Sequence, residues 1–212
     1  EVIRERIETP TVEWRMLEEA PETGYVTIHL FGERTPTELD RALAGLRGQG
    51  ASQLVLDLRH NPGGLLDGAV AVASRFLNDG VVLFERKSDG TEETYHVSNA
   101  ERVSDWPMVV LVDGATASAA EIVAGALQDR TRASLVGEKT FGKGSVQLVH
   151  DLSDGSSIHV TVAHWLTPNG HEINGVGLTP DLEVAHEDGR DAPLEEAVRL
   201  FSSQAMEKQA SQ

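Results

Sequence analysis

The run Gln53–Leu58 is apolar almost without interruption and far too short to be a buried helix. A strand with that pattern is expected to bury both faces, inside a sheet flanked by helices. The rest of the chain reads consistently with this from about residue 25. Tyr25–Phe31 is predicted as a strand, followed by a helix start at Thr35-Pro36-Thr37-Glu38. There Thr35 can cap, Pro36 suits the first helical position and Glu38 completes a capping box. Leu39, Ala42, Leu43 and Leu46 then define one buried face, and Gly48 and Gly50 close the helix. After Gln53–Leu58 the turn His60-Asn61-Pro62-Gly63-Gly64 leads into a helix with Leu66, Ala69, Val70, Ala73, Phe76 and Leu77 on its apolar side. Val81–Glu85, Met108–Val112 and Ala133–Val136 read as further strands, and Ala119–Asp129 as a third helix.

The pattern changes toward the C-terminus. Ser145–His150 and Ser157–Ala163 alternate like the arms of an antiparallel hairpin around Asp154-Gly155. A last helix starts near Asp191 and Pro193 and buries Leu194, Ala197, Val198 and Phe201. The expected fold class is α/β, with βα units and a β-hairpin region near the C-terminus. One core is expected over residues 21–205, between a segment 1–20 that joins no clear pattern and a frayed tail over 206–212.

Composition narrows the function. Eighteen basic against 34 acidic side chains give a formal charge of −16, which disfavours nucleic acid because phosphate binding needs a basic surface. With no cysteine, disulfides, thiolate zinc sites and a cysteine nucleophile are excluded together. The eight histidines are scattered without metal-ligand spacing, so neither a metal nor a cofactor is expected. A Ser-His-Asp triad through His60 or His164 is open in principle, but no spacing favours it.

Three segments can carry chemistry. Ser118 lies between a strand and a helix, where free N–H groups and the positive helix end can stabilise an oxyanion. Ser118-x-x-Glu121 is also a capping box, which by itself accounts for a serine there. Lys143, one of only four lysines, sits between Gly142 and Gly144, ahead of a strand that reads as buried. Burial disfavours a charged ammonium, and a neutral amine beside a serine is a general base; the plainer reading is a surface lysine on a glycine turn. Gln147, four residues on, would share a strand face with Lys143 and could orient its amine. Asn61-Pro62-Gly63-Gly64 can aim a backbone N–H into a cleft, or simply be a tight turn needing positive φ. Gly137–Lys143 also matches the first seven positions of a phosphate-binding loop. Gly144 stands where Ser or Thr is required, and a strand-like segment replaces the helix, so nucleotide binding is not expected.

Taken together, these segments resemble the carboxyl-terminal processing peptidases, or tail-specific proteases. The resemblance rests on Leu54–Gly64, Ala117–Asp129, Val136–Gln147, and Trp165–Gly170 through Gly177–Asp181, in the family's order over about residues 20–200. It implies a crotonase- and Clp-protease-like α/β spiral core and a serine endopeptidase with a Ser-Lys dyad. Ser118 would be the nucleophile, Lys143 the base and Gln147 the residue holding the lysine. The backbone N–H groups of Gly64 and Ala119 would form the oxyanion hole, with Gly63 adjacent to the first. Thr116 and Ala120 flank Ser118 where small hydroxyl residues are common in the family. The resemblance further implies an extracytoplasmic site of action (bacterial periplasm or envelope, or thylakoid lumen) and substrates with exposed C-terminal tails. It also implies a PDZ domain ahead of a segment like Arg4-Glu5-Arg6-Ile7-Glu8, close to where this sequence starts, so a catalytic core without its PDZ domain, latent in that form, is expected. A second reading is a non-catalytic module binding apolar ligands or peptides, as in the similar interphotoreceptor retinoid-binding proteins. Retention of Ser118, Lys143 and Gln147 favours the enzyme.

Overall fold

The computed structural model of the chain describes residues 9–98 and 105–210. In chain order the elements are β1 (Val12–Met16), β2 (Thr23–Ile28), α1 (Thr35–Gly48), β3 (Gln53–Asp57), α2 (Leu66–Ala73), β4 (Val81–Lys87), β5 (Glu92–His96), β6 (Met108–Val112), α3 (Ala119–Asp129), β7 (Ser134–Gly137), β8 (Ser145–Asp151), β9 (Ser157–Leu166), β10 (Leu182–Glu183) and α4 (Ala192–Ala210). They form a six-stranded sheet in the order β1-β2-β3-β6-β7-β10 and a four-stranded sheet in the order β5-β4-β9-β8. In the first sheet only β1 runs antiparallel to its neighbour. The second is antiparallel throughout.

The uninterrupted apolar run is explained by the layers. Leu54 and Leu56 of β3, with Val110 and Val112 of β6, pack with Leu39 and Leu43 of α1, Val72 of α2 and Ile122 of α3. The intervening residues Val55, Val109 and Leu111 face the opposite way, against Ala197 and Phe201 of α4. Both faces of the parallel strands are therefore dry, as expected of helix-covered strands. The loops leaving β3 and β6 emerge side by side at the carboxyl end of the sheet, where α/β folds place their ligands.

Several expectations are corrected. The segment before residue 20 joins the main sheet, because β1 pairs with β2; Arg4–Glu8 lies outside the described residues. Thr35 and Glu38 do not cap α1. Glu38 Oε2 instead accepts the N–H groups of Thr11 and Val12 at 2.7 and 3.2 Å, pinning the start of β1. Thr35 Oγ1 accepts the Gly32 N–H at 2.9 Å and donates to Leu30 O at 3.0 Å. Tertiary partners thus claim both residues. Helix α4 continues past Met206 to Ala210. The β8–β9 hairpin forms as expected, although β8 is an exposed sheet edge and not a buried strand. No helix among the described residues is long and apolar enough to cross a membrane.

Candidate active site

Ser118 is the last residue before α3 and adopts φ 58°, ψ −120° while only 7% exposed. Positive φ in a non-glycine residue costs on the order of 1–3 kcal/mol and persists only where the surroundings enforce it. Here the enforcement includes Glu121, whose Oε2 accepts the Ser118 N–H at 2.9 Å. The two form a capping box, as the spacing Ser118-x-x-Glu121 suggests. Accepting an N–H leaves a hydroxyl's own proton free, so Ser118 can still donate at the positive end of α3.

The glycine turn packs directly on this serine. A Cβ on Gly63 would lie 2.6 Å from Ser118 Cβ, and one on Gly64 would lie 2.1 Å from Phe31 O. Both glycines also have positive φ, 107° and 134°, so no other residue fits either place. Their N–H groups have different fates. That of Gly63 donates to Asn61 Oδ1 at 2.8 Å. That of Gly64 has no partner among the described residues, and the same is true of Ala119 at the first position of α3. Two unpartnered donors thus lie in the segments that meet at Ser118, one in the glycine turn and one at the start of α3.

Glu121 ties the lysine segment to the same place. This wholly buried carboxylate accepts Thr140 Oγ1 at 2.5 Å and the Gly142 N–H at 2.7 Å on Oε1. Its Oε2 accepts the Lys143 N–H at 2.8 Å alongside that of Ser118. The amides of the candidate nucleophile and base therefore meet at one oxygen. A Cβ on Gly144 would lie 2.4 Å from Asn174 N, so the Gly-Lys-Gly segment is threaded against the 173–177 loop.

The side chains beyond are less organised. Lys143 is exposed, as in the plainer of the two sequence readings, and its amine makes no hydrogen bond or ion pair with any described residue. Gln147 lies on β8, whose first residue is Ser145, so Lys143 precedes the strand. A register shift between Val146 and Gln147 then breaks the alternation that would have placed both on one face. No hydrogen bond joins Gln147 to Lys143.

The histidine alternatives are not assembled. His60 Nδ1 lies 2.9 Å from Asp113 Oδ2, but the ring is 85% exposed and makes no hydrogen bond to Ser118. His164 Nδ1 is buried without a partner. Beside His60, cavities of about 380 and 410 Å³ open at the carboxyl end of the sheet, sharing Arg59, His60 and His186 in their walls. Arg59 is fixed there by Asp57 and by Asp191, each at 2.7 Å. Burial would raise the Asp191 carboxyl, but the Arg59 guanidinium outweighs it and holds the group below the usual carboxylate range. Burial, then Asp57, pushes the neighbouring Tyr25 hydroxyl up to about 12. The phosphate-loop match is followed by β8 and not by a helix that could receive a phosphate.

Sequence reasoning left two residues without a functional role. Glu121 registered only as a capping partner, and Asn61 only as part of a turn. The single signal for either was its fixed spacing from Ser118 or from the glycine pair.

Known proteins share the sequence and fold of this chain. The model of peptidase family S41 matches residues 22–184. The carboxyl-terminal-processing protease of Synechocystis sp. is 47% identical over 161 residues, covering 76% of this chain and 38% of the relative. The chloroplastic C-terminal processing peptidase of Tetradesmus obliquus is 41% identical over 182 residues, covering 86% and 39% respectively. The chain thus spans about two-fifths of the length of these relatives. Among solved structures, the photosystem II D1 C-terminal processing protease superposes with a TM-score of 0.76 at 37% identity, over 92% of this chain and 53% of that one.

Proposed function

The chain belongs to peptidase family S41, and from that premise we propose that it is the core of a serine endopeptidase cutting protein substrates near their C-termini through Ser118 and Lys143. The observation that carries this is the shared Glu121 oxygen, which accepts the backbone N–H groups of both residues at 2.9 and 2.8 Å. In the proposed reaction the neutral Lys143 amine takes the Ser118 hydroxyl proton as Oγ bonds to the substrate carbonyl carbon. The resulting oxyanion sits between the N–H groups of Gly64 and Ala119, the two unpartnered donors beside Ser118. Lys143 then gives the proton to the leaving amine as the C–N bond breaks, and an acyl group remains on Ser118. Water, deprotonated by the same amine, cleaves that ester and restores the hydroxyl. Gln147 is assigned to orienting the amine, which requires the start of β8 to bring its amide to Lys143.

The relatives are processing proteases of bacteria and chloroplasts. We extend to this chain an extracytoplasmic site of action, substrates with exposed C-terminal tails, and a PDZ domain of the full-length protein that delivers them. Without that domain the core can be latent. The test is cleavage of an unstructured protein such as β-casein. Ser118→Ala and Lys143→Ala should each abolish it while cooperative unfolding is retained. Wild-type cleavage by either variant would remove the dyad assignment.

A further inference from the structure

Asn61 is 0% exposed, so no substrate atom reaches it, yet it holds the loops that carry both free donors. Its Nδ2 donates to Ile28 O, the last residue of β2, at 2.7 Å. Its Oδ1 accepts the Gly63 N–H at 2.8 Å, and its main-chain carbonyl accepts the Ala117 N–H at 2.9 Å. The glycine turn is held from its far side as well. Phe31 donates its N–H to Gly63 O at 2.8 Å and accepts the Leu65 N–H at 2.7 Å.

We propose that Asn61 is the positioning residue that sets the register of the oxyanion hole, an inference that rests on Ser118 being the nucleophile. Two adjacent glycines could each turn an N–H toward the cleft. By engaging the Gly63 N–H in a turn closed by its own side chain, Asn61 removes that donor and leaves Gly64 as the one presented. By accepting the Ala117 N–H, it fixes the nucleophile loop two residues before Ala119. The separation of the two donors is thereby determined at one residue, whose side chain, anchored on the end of a core strand, sets the glycine turn and whose carbonyl holds the nucleophile loop. Donors that stabilise an oxyanion act through being placed before charge develops, so their spacing governs the rate more than substrate binding. An asparagine is required because the site needs both an acceptor, for Gly63, and a donor, for the Ile28 carbonyl. Aspartate lacks the donor.

The test compares the parent chain with Asn61→Ala and Asn61→Ser, with Ser118→Ala as reference. Steady-state kinetics on an internally quenched peptide ending in a free carboxylate are measured together with inhibition by acetyl-Ala-Ala-alaninal and by the matching alcohol. The aldehyde forms a tetrahedral adduct whose oxygen occupies the hole, and the alcohol does not. For Asn61→Ala, kcat should fall about 10²- to 10³-fold, as on loss of an oxyanion donor, with KM little changed. Affinity for the aldehyde should fall in parallel, and affinity for the alcohol should hold. Asn61→Ser should recover part of kcat, because a hydroxyl can accept the N–H two residues on. Equal loss of aldehyde and alcohol binding, or a wild-type kcat in Asn61→Ala, would overturn the proposal. If Asn61→Ala does not fold, the aldehyde-to-alcohol ratio of Asn61→Ser decides in the same way. Cleavage surviving in Ser118→Ala would instead remove the nucleophile assignment beneath it. A dead Ser118→Ala beside fully active Asn61 variants would remove only the positioning role.

Discussion

The backbone around Ser118 and the backbone around Lys143 meet at Glu121, but the two sides of the site are built to different standards. On the nucleophile side Ser118, Ala119, Thr116 and Asn61 are all buried, and the glycine turn is in contact with Ser118 Cβ. On the lysine side the amine is exposed, and the strand that follows carries Leu148 at 62% and Val149 at 56% exposure. The donors proposed for the oxyanion are therefore set by the core itself. The proposed base has a fixed backbone but a side chain that must still be oriented. Such a division places the costly electrostatic preorganisation in the most rigid part of the molecule. It leaves the step that can be gated to a protruding hairpin, where local opening is cheapest.

The change that should break both sides at once is Glu121→Ala. It strips the acceptor from the N–H groups of Ser118, Gly142 and Lys143 together, and buried donors left unpaired cost about 1–3 kcal/mol each. A loss of at least about 3 kcal/mol in denaturant unfolding is expected, with no residual cleavage. Gly63→Ala should harm the nucleophile side alone. Its methyl meets Ser118 Cβ at 2.6 Å on a backbone with φ 107°, a strain of about 1–3 kcal/mol, and kcat should fall with it.

A smaller effect is expected at the anchor of α4 beneath the same loops. Asp191 pairs with Arg59 but its side chain is 42% exposed, so Asp191→Asn should cost only about 1 kcal/mol at neutral pH. Because the folded carboxyl is held below its ordinary value, this contribution is full above about pH 4 and is lost as pH falls through the lowered value. The wild-type and variant unfolding curves should converge in acid. Least of all, Leu148→Ser on the hairpin should leave stability within about 0.5 kcal/mol of the parent chain, since the side chain buries little. A large loss there would show that the hairpin is as firmly built as the core.

The parts of this design that were legible in the sequence are those where one physical requirement acts alone. Strands β3 and β6 are apolar on both faces because helices cover both, and no other element gives that pattern. Ser118 and the glycine turn stood out because a strand-to-helix junction and paired glycines have few uses. Strand β5, Glu-Glu-Thr-Tyr-His at a sheet edge, carries almost no apolar signal. Strand β1 is short and mostly exposed, and the threonine and glutamate that seemed to cap α1 turned out to serve its neighbourhood. Local capping rules fail there because a tertiary donor competes for the same oxygen. Lys143 was located by its glycines, but the sequence left its burial open, because β8 alternates like a strand whether or not anything covers it. Asn61 and Glu121 act on groups brought together only by the fold, through bonds to residues 33 and 22 positions away. No local pattern encodes that.

In the proposed mechanism Ser118 attacks with Lys143 as its base while Gly64 and Ala119 receive the oxyanion. The most direct measurement is a crystal structure of the chain with a peptide boronate bonded to Ser118 Oγ. One boronate oxygen should lie roughly 2.7–3.1 Å from both the Gly64 and Ala119 nitrogens, with Lys143 Nζ within hydrogen-bond reach of Oγ. A boronate oxygen on Gly63 or turned to solvent, or a lysine amine remaining away from Ser118, would contradict it.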